Sequence, residues 1–371
     1  MTPTFEPQHR IVHVASGRRS CPLSSAYALS FARLEQFESI WVYSEDESGR
    51  VGLGEAVALP GYSWETSDDV ERTVKELLRD AAGSTRETIS ERCRALAPAY
   101  PFATSAVMTA LELPDWLHYA DATTRLPLAY PLSATLAATE LGMALKAAVG
   151  RGYRFLKIKV GKDVEQDIEF ANTLVRALYD LPLHVSFDAN QGHSLAEARR
   201  FAHTLTQWGS SQPLWYEQPC DRRDWDALAA LCRESKVPIV LDESIYTETD
   251  VARAAGIGAA GVKLKLMKHL GLADTWQLAH HARALGLRVT IGNGVATDIG
   301  NAAEYLLLAA GISAAGGDLF EAPAEVNGFA KLKTPLIFAN LRVEGGEFIC
   351  DGGAEKLRAQ LSQARTQLLA L

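Results

Sequence analysis

The sequence predicts an α/β protein whose main body is a closed (β/α) barrel preceded by a separate α+β unit. From about residue 130, short runs rich in valine, isoleucine and leucine alternate with helical stretches, the signature of parallel βαβ units. Such runs number eight within about 190 residues, which favours closure over an open doubly wound sheet. Before residue 130 the pattern changes to strand-like runs followed by helices, so a different unit comes first.

In chain order, residues 27–37 and 38–44 read as strands, 45–49 as a polar turn, and 70–80 and 106–119 as helices. Pro127 and Pro131 mark a junction. Barrel strands follow at 132–136, 155–160, 183–188, 214–217, 239–242, 261–266 and 288–291, with a weaker eighth near 317–320. The segments 164–180, 195–208 and 270–285 carry apolar residues at three- and four-residue spacing, which lays helices on the outside of the sheet. The tail resumes strand signals at 341–350 and ends in a helix at 355–371. The expected division is 1–128, 129–328 for the barrel, and 329–371 packing back on the first unit.

Composition narrows the function classes. With 371 residues, 47% hydrophobic and 22% charged, the chain is long enough for a large core and is not disordered. A formal charge of −8 without long basic runs argues against nucleic acid as a partner. No uncharged apolar stretch of about 18 residues occurs and the first residues lack a signal-peptide core, so a cytoplasmic protein without membrane association is expected. Cys21, Cys93, Cys220, Cys232 and Cys350 show no C-x-x-C spacing and read as reduced packing residues.

Several strands end in a charge that an apolar barrel has no use for: Lys159, Asp188, Glu217 and Asp242, with Lys265 near the end of the next. Successive separations of 29, 29, 25 and 23 residues each approximate one βα unit, so the five occupy equivalent positions on the second to sixth strands. Barrel active sites lie at those ends. Three converging carboxylates repel strongly unless a cation sits among them, and an oxygen-only ligand set favours Mg²⁺ over zinc. The second and sixth strands of eight lie opposite, so Lys159 and Lys265 face one another and can handle a proton on either side of a bound molecule.

Period-two alternation turns Lys157 to the side of Lys159, and Lys263 to that of Lys265. Crowding by a second ammonium and a cation is expected to lower the lysine pKa values toward neutrality. Any one of these acids is as readily a helix cap, and any one lysine a solvated side chain. Independent caps would not place lysine, three acids and lysine in one ring.

The motifs K-I-K at 157–159, D-A-N at 188–190, E-Q-P at 217–219, D-E-S at 242–244 and K-L-M-K at 265–268 together resemble the enolase superfamily, in its muconate lactonizing enzyme (mandelate racemase/muconate cycloisomerase) subgroup. The resemblance covers most of the chain. It implies a (β/α)7β catalytic barrel, an N-terminal α+β capping domain completed by the C-terminal segment, and a homo-oligomer. It further implies Mg²⁺ ligands at Asp188, Glu217 and Asp242, acid/base lysines at Lys159 and Lys265, and Asn190 and Lys157 near the carboxylate of a small substrate. The reaction implied is abstraction of an α-proton to give an enediolate, which near pH 7 needs a cation where the second negative charge develops.

Departures from the family pattern bear on the substrate. Lys263 stands where many relatives have asparagine, and H-L-G at 269–271 replaces a common x-G-G. In G-N-G-V-A-T-D at 292–298, Asn293 is a candidate substrate contact, Ala296 stands near a position where glutamate is frequent, and Asp298 either substitutes or caps the next helix. D-L-F-E at 318–321 lacks the D-x-D of dipeptide epimerases, which disfavours a dipeptide and leaves Asp318 for one cationic contact. The stretches 21–27 and 59–66 qualify as capping-domain loops, with Tyr62 and Trp64 as an aromatic lid and Glu65 nearby.

Racemisation, epimerisation or cycloisomerisation of an amino-acid derivative or related acid is the reading adopted. A dehydratase using the same partial reaction, a Schiff-base aldolase with Lys265 as nucleophile and a non-catalytic binding protein stay open at this stage.

Overall fold

A computed structural model describes residues 9–28, 33–59, 63–178, 180–209, 214–292, 295–313 and 319–369. The chain begins with an antiparallel sheet of β1 (Ile11–Ala28), β2 (Arg33–Asp46) and β3 (Val51–Val57), in that order. The helices α1 (Ser67–Leu78), α2 (Arg86–Leu96) and α3 (Pro101–Trp116) follow. Strand alternation divides β2 between two cores: Ile40 and Val42 face the helices with Val107 and Leu111, while Trp41 and Tyr43 join the barrel-side core. Gly52 and Gly54 of β3 lie against the backbone of α3. A Cβ at either would fall 1.8 or 1.9 Å from the carbonyl oxygen of Ala110 or Ala106.

Thr66 and Asp69 cap α1 reciprocally, each side chain accepting from the other's backbone N–H at 3.1 Å. Glu65 caps α3 from outside, accepting from Phe102 N at 2.8 Å and Ala103 N at 3.1 Å. The expected strand at 27–37 is corrected. Tyr27 and Ala28 end β1, Arg33 begins β2, and residues 29–32 lie outside the described residues. Residues 21–27, expected as a loop, are strand paired with β2. Much of β1 is polar and half exposed, so its pairing with β2, and not a hydrophobic run, makes it a strand.

After β4 (Leu126–Pro127) comes the barrel: β5 (Ala129–Ser133), α4 (Ala138–Gly150), β6 (Phe155–Lys159), α5 (Val164–Ala177), β7 (His184–Asp188), α6 (Leu195–Thr206) and β8 (Trp215–Glu217). It continues through α7 (Trp225–Glu234), β9 (Ile239–Leu241), α8 (Glu248–Gly256), β10 (Gly261–Leu264), α9 (Gly271–Ala284), β11 (Arg288–Ile291) and α10 (Asp298–Ser313). The seven strands β5 to β11 pair in parallel in sequence order.

The expected eighth strand is also corrected. Residues 317 and 318 lie outside the described residues, and Leu319 and Phe320 form a bend. Residues 321–325 close the ring instead. Glu321 N and Glu325 N donate to Val289 O and Ile291 O of β11, and Ala129 N of β5 donates to Ala324 O. Pro323 lacks an N–H, which interrupts the ladder and leaves a bridge in place of a strand.

The hairpin β12 (Leu341–Glu344) and β13 (Glu347–Cys350) turns at Gly345 and Gly346, whose φ values of 59° and 75° suit a two-residue hairpin turn. β13 pairs with β4. The last helix, α11 (Gly353–Leu369), buries Leu357, Leu361, Ala364 and Leu368 and packs on β3 and the turn at Leu117–Tyr119. Among the described residues no helix is long and apolar enough to cross a membrane. All five cysteines are unpaired, and burial pushes the thiol of Cys93 up to about 12.

Candidate active site

Lys159, Asp188 and Glu217 end three adjacent strands in direct register, Lys159 opposite Asp188 and Asp188 opposite Glu217. Asp242 and Lys265 are the first residues beyond β9 and β10. In the eight-membered ring closed by residues 321–325, β6 and β10 take the second and sixth places, so the two lysines rise from opposite walls. Asp188, Glu217, Asp242 and Lys263 are fully buried, while the side chain of Lys159 is 43% exposed.

Each acid is engaged by lysine. Lys159 Nζ donates to Asp188 Oδ2 at 2.5 Å and to Asn190 Oδ1 at 2.7 Å. Lys157 Nζ stands 2.8 Å from Asp188 Oδ2, 2.9 Å from Glu217 Oε1 and 2.6 Å from Glu325 Oε2. Lys263 donates to the other oxygens of Glu217 and Glu325, so Lys157, Glu217, Lys263 and Glu325 form a closed ring of ion pairs. Asp242 has Lys265 Nζ at 2.6 Å and Lys268 Nζ at 3.0 Å. Asn190 also donates to Glu243 Oε1 at 2.9 Å, linking the ends of β7 and β9.

Burial acts to raise Asp188, yet the attraction of Lys157, Lys159 and Lys263 holds it well below the ordinary carboxylate range. Asp242 is likewise lowered by Lys265 and Lys268 against its burial. Burial and the neighbouring charge of Asp188 push Glu217 up to about 7 despite its two lysines. Lys157 is held well above its ordinary value: burial opposes its charge, but Asp188, Glu217 and Glu325 outweigh burial.

Among the described residues no three His, Cys, Asp or Glu side chains gather closely enough to hold a metal ion as they stand. Lys157 Nζ bridges Asp188 and Glu217, and Lys265 and Lys268 occupy Asp242. The donor set nevertheless suits a hard dication, because it is all oxygen and one of its buried oxygens, Asp242 Oδ2, meets Lys265 without hydrogen-bond alignment. Beside it, the buried Glu243 Oε2 has no hydrogen-bond partner among the described residues.

Of the other expected contacts, Lys157 and Asn190 are in the site. Tyr62, Asn293 and Asp318 lie outside the described residues. Trp64 is 46% exposed, packs on Tyr246 with ring centroids 5.0 Å apart, and donates from Nε1 to Ala99 O at 2.8 Å. It therefore sits beside the segment that follows Asp242. Asp298 neither replaces a glutamate nor caps α10. Its buried carboxylate accepts from Leu336 N, Ile337 N and Phe338 N, and Glu55 of β3 accepts from Thr297 N and Gly300 N at the helix start.

Glu325 escaped the sequence reading, because the closing segment has no strand pattern to give its register. Glu243 lay beside a named residue, but alternation alone gave no reason to turn it inward. Behind the site, Asp167 accepts from Gly161 N at 2.7 Å and pairs with His193 Nε2 at 3.0 Å, while His193 Nδ1 meets the Tyr216 hydroxyl. This buried chain ties the loop after β6 to the loop after β7.

Residues 140–349 match the family model described as enolase C-terminal domain-like. The chain is 28% identical to an L-Ala-D/L-amino acid epimerase of Populus trichocarpa over 86% of this chain and 76% of that protein. It is also 28% identical to an N-succinyl-L-Arg/Lys racemase of Bacillus cereus, over 76% and 80% of the two chains. Among solved structures, the dipeptide epimerase of Methylococcus capsulatus complexed with Mg and L-Arg-D-Lys superposes with a TM-score of 0.79 at 23% identity, over 93% of this chain and 98% of that one. That likeness is one of fold.

Proposed function

The chain belongs to the enolase superfamily, in its muconate lactonizing enzyme subgroup, and from that premise we propose that it is a Mg²⁺-dependent isomerase. It moves a proton at the α-carbon of a small carboxylate, an amino-acid derivative, by racemisation or epimerisation. One observation carries this reading: Lys159 and Lys265 rise from opposite walls of one ring, with the acids Asp188, Glu217 and Asp242 on the strands between them. Relatives named as epimerases and racemases support the same chemistry.

Asp188, Glu217 and Asp242 would hold Mg²⁺, which when bound supplies positive charge where a substrate carboxylate gains negative charge. Lys157, buried among acids and held charged, orients that carboxylate. An amine on one face of the α-carbon takes the proton, and the amine on the other face returns one, so the configuration inverts. Asn190 accepts from Lys159 Nζ and fixes where that amine points. A single amine could exchange the proton but could not invert the centre.

The test is incubation in D2O with MgCl2 and a panel of N-acylated amino acids and dipeptides, followed by NMR and chiral chromatography. Deuterium at the α-carbon together with the opposite stereoisomer is expected, and chelation with EDTA should abolish both. Loss of water from a hydroxylated substrate without recovered deuterated isomer would replace this reading with an elimination.

A further inference from the structure

Glu243 follows Asp242 in the chain and is buried with it. Its Oε1 accepts from Asn190 Nδ2 at 2.9 Å, and Asn190 Oδ1 in turn accepts from Lys159 Nζ at 2.7 Å. Its other oxygen, Oε2, has no hydrogen-bond partner among the described residues. A buried carboxylate oxygen without a donor is costly, so this one calls for a partner that reaches it in another state of the site. Asp242, Asp188 and Lys265 all act on Glu243, and of these three only Lys265 favours its charge.

The amine of Lys265 is engaged next door. Its Nζ lies 2.6 Å from Asp242 Oδ2, without hydrogen-bond alignment. Lys268 Nζ holds the other carboxylate oxygen at 3.0 Å and donates to the backbone carbonyl of Asp242 at 2.6 Å. Both carboxylate oxygens of Asp242 therefore face ammonium groups, and for Asp242 to ligate Mg²⁺ one of them has to give way. Lys268 grips residue 242 by two aligned bonds, whereas Lys265 meets it by charge alone, so Lys265 is the one placed to leave.

We propose that Glu243 is a positioning residue that receives the Lys265 amine on Oε2 when Asp242 takes up Mg²⁺. Lys265 stays protonated in this exchange: its ion pair with Asp242 breaks and one with Glu243 forms. The hand-over frees Asp242 for the ion. It also leaves both acid/base lysines fixed by one carboxylate, Lys265 directly and Lys159 through Asn190. This inference rests on the assignment of Asp242 and Lys265 in the isomerase reading.

The experiment is calorimetric titration with MgCl2, without substrate, of the parent protein, Glu243→Gln, Lys265→Met and the double variant. Glu243→Gln keeps an oxygen for Asn190 but turns an amide NH2, which cannot accept, toward Lys265. It should weaken Mg²⁺ binding by about 10- to 100-fold, the range for an outer support of a metal ligand. In the Lys265→Met background no amine has to be re-seated, so the same change should lose most of that effect. An equal loss in both backgrounds means that Glu243 acts by its charge or its packing alone, and overturns the proposal, as does an unchanged affinity in Glu243→Gln. Exchange in D2O gives a second readout. Glu243→Gln should slow α-proton exchange chiefly for the stereoisomer whose exchange Lys265→Met abolishes, whereas a merely structural role slows both stereoisomers alike and contradicts the hand-over. If the parent takes up no Mg²⁺, the metal assignment itself fails and this inference goes with it. Uptake of Mg²⁺ with additive effects of the two substitutions removes this inference alone.

Discussion

Gln218 aims Asp242 from the neighbouring strand without touching its carboxylate. The Gln218 side-chain oxygen accepts from Asp242 N at 2.9 Å and from Ser244 N at 3.2 Å, while its amide nitrogen donates to Cys220 O and Ser244 Oγ. A residue fully buried just beyond β8 thus spends most of its amide on the segment after β9 and one bond on its own turn at Cys220. Its own backbone sits at a φ of 31°, in the left-handed region, so the position is held by these contacts.

Gln218→Ala should therefore weaken Mg²⁺ binding by about 10- to 100-fold, the usual cost of losing an outer support of a metal ligand. Isothermal titration calorimetry reads this directly. An unchanged affinity would mean that Asp242 is placed by its own segment.

Replacing Lys159 or Lys265 with alanine should lower isomerisation by about 10²- to 10⁴-fold, the contribution of a positioned acid/base group. The two variants should differ in kind. In D2O, Lys159→Ala should still exchange the proton of one stereoisomer and Lys265→Ala that of the other, because each retains one amine. Equal loss from both stereoisomers in both variants contradicts the two-faced arrangement.

Asp298 anchors the C-terminal segment, accepting from three successive backbone N–H groups at 2.6 to 2.8 Å. Asp298→Ala would strand those buried donors and should reduce stability to urea by about 3 kcal/mol. If the variant keeps its stability and loses only activity, Asp298 belongs to the site after all.

Glu304 of α10 is buried, accepts from Asn301 Nδ2 at 2.8 Å, and is pushed by burial up to about 8 from an ordinary 4.5. The folded state thus keeps its proton while the unfolded chain has lost it. The associated stability is complete below about pH 4.5 and drains away as the pH rises to about 8. Glu304→Gln lacks this titration. Its stability relative to the parent should be unchanged at pH 4 and should grow to on the order of 5 kcal/mol by pH 9. Parallel pH profiles of the two proteins would show that Glu304 is ionised when folded.

Much of the site could be read from spacing because a βα unit has a nearly constant length. Lys159, Asp188, Glu217, Asp242 and Lys265 recur at that length, and each stands at or just beyond a strand end. Glu325 could not be read this way. It lies on a segment that Pro323 keeps from forming a ladder, and only its bond to Ile291 O gives its level in the barrel.

Local periodicity determined seven strands of the barrel and five of the charges that crown them, since each depends on residues one strand or one helix apart; closure by residues 321–325 did not follow from it. Tertiary structure decided how those charges pair. Lys157 answers to acids on three other segments, and the balance between its burial and their attraction is set by distances across the ring. Coulomb energy depends on separation in space and on exclusion of water, and neither is a function of distance along the chain.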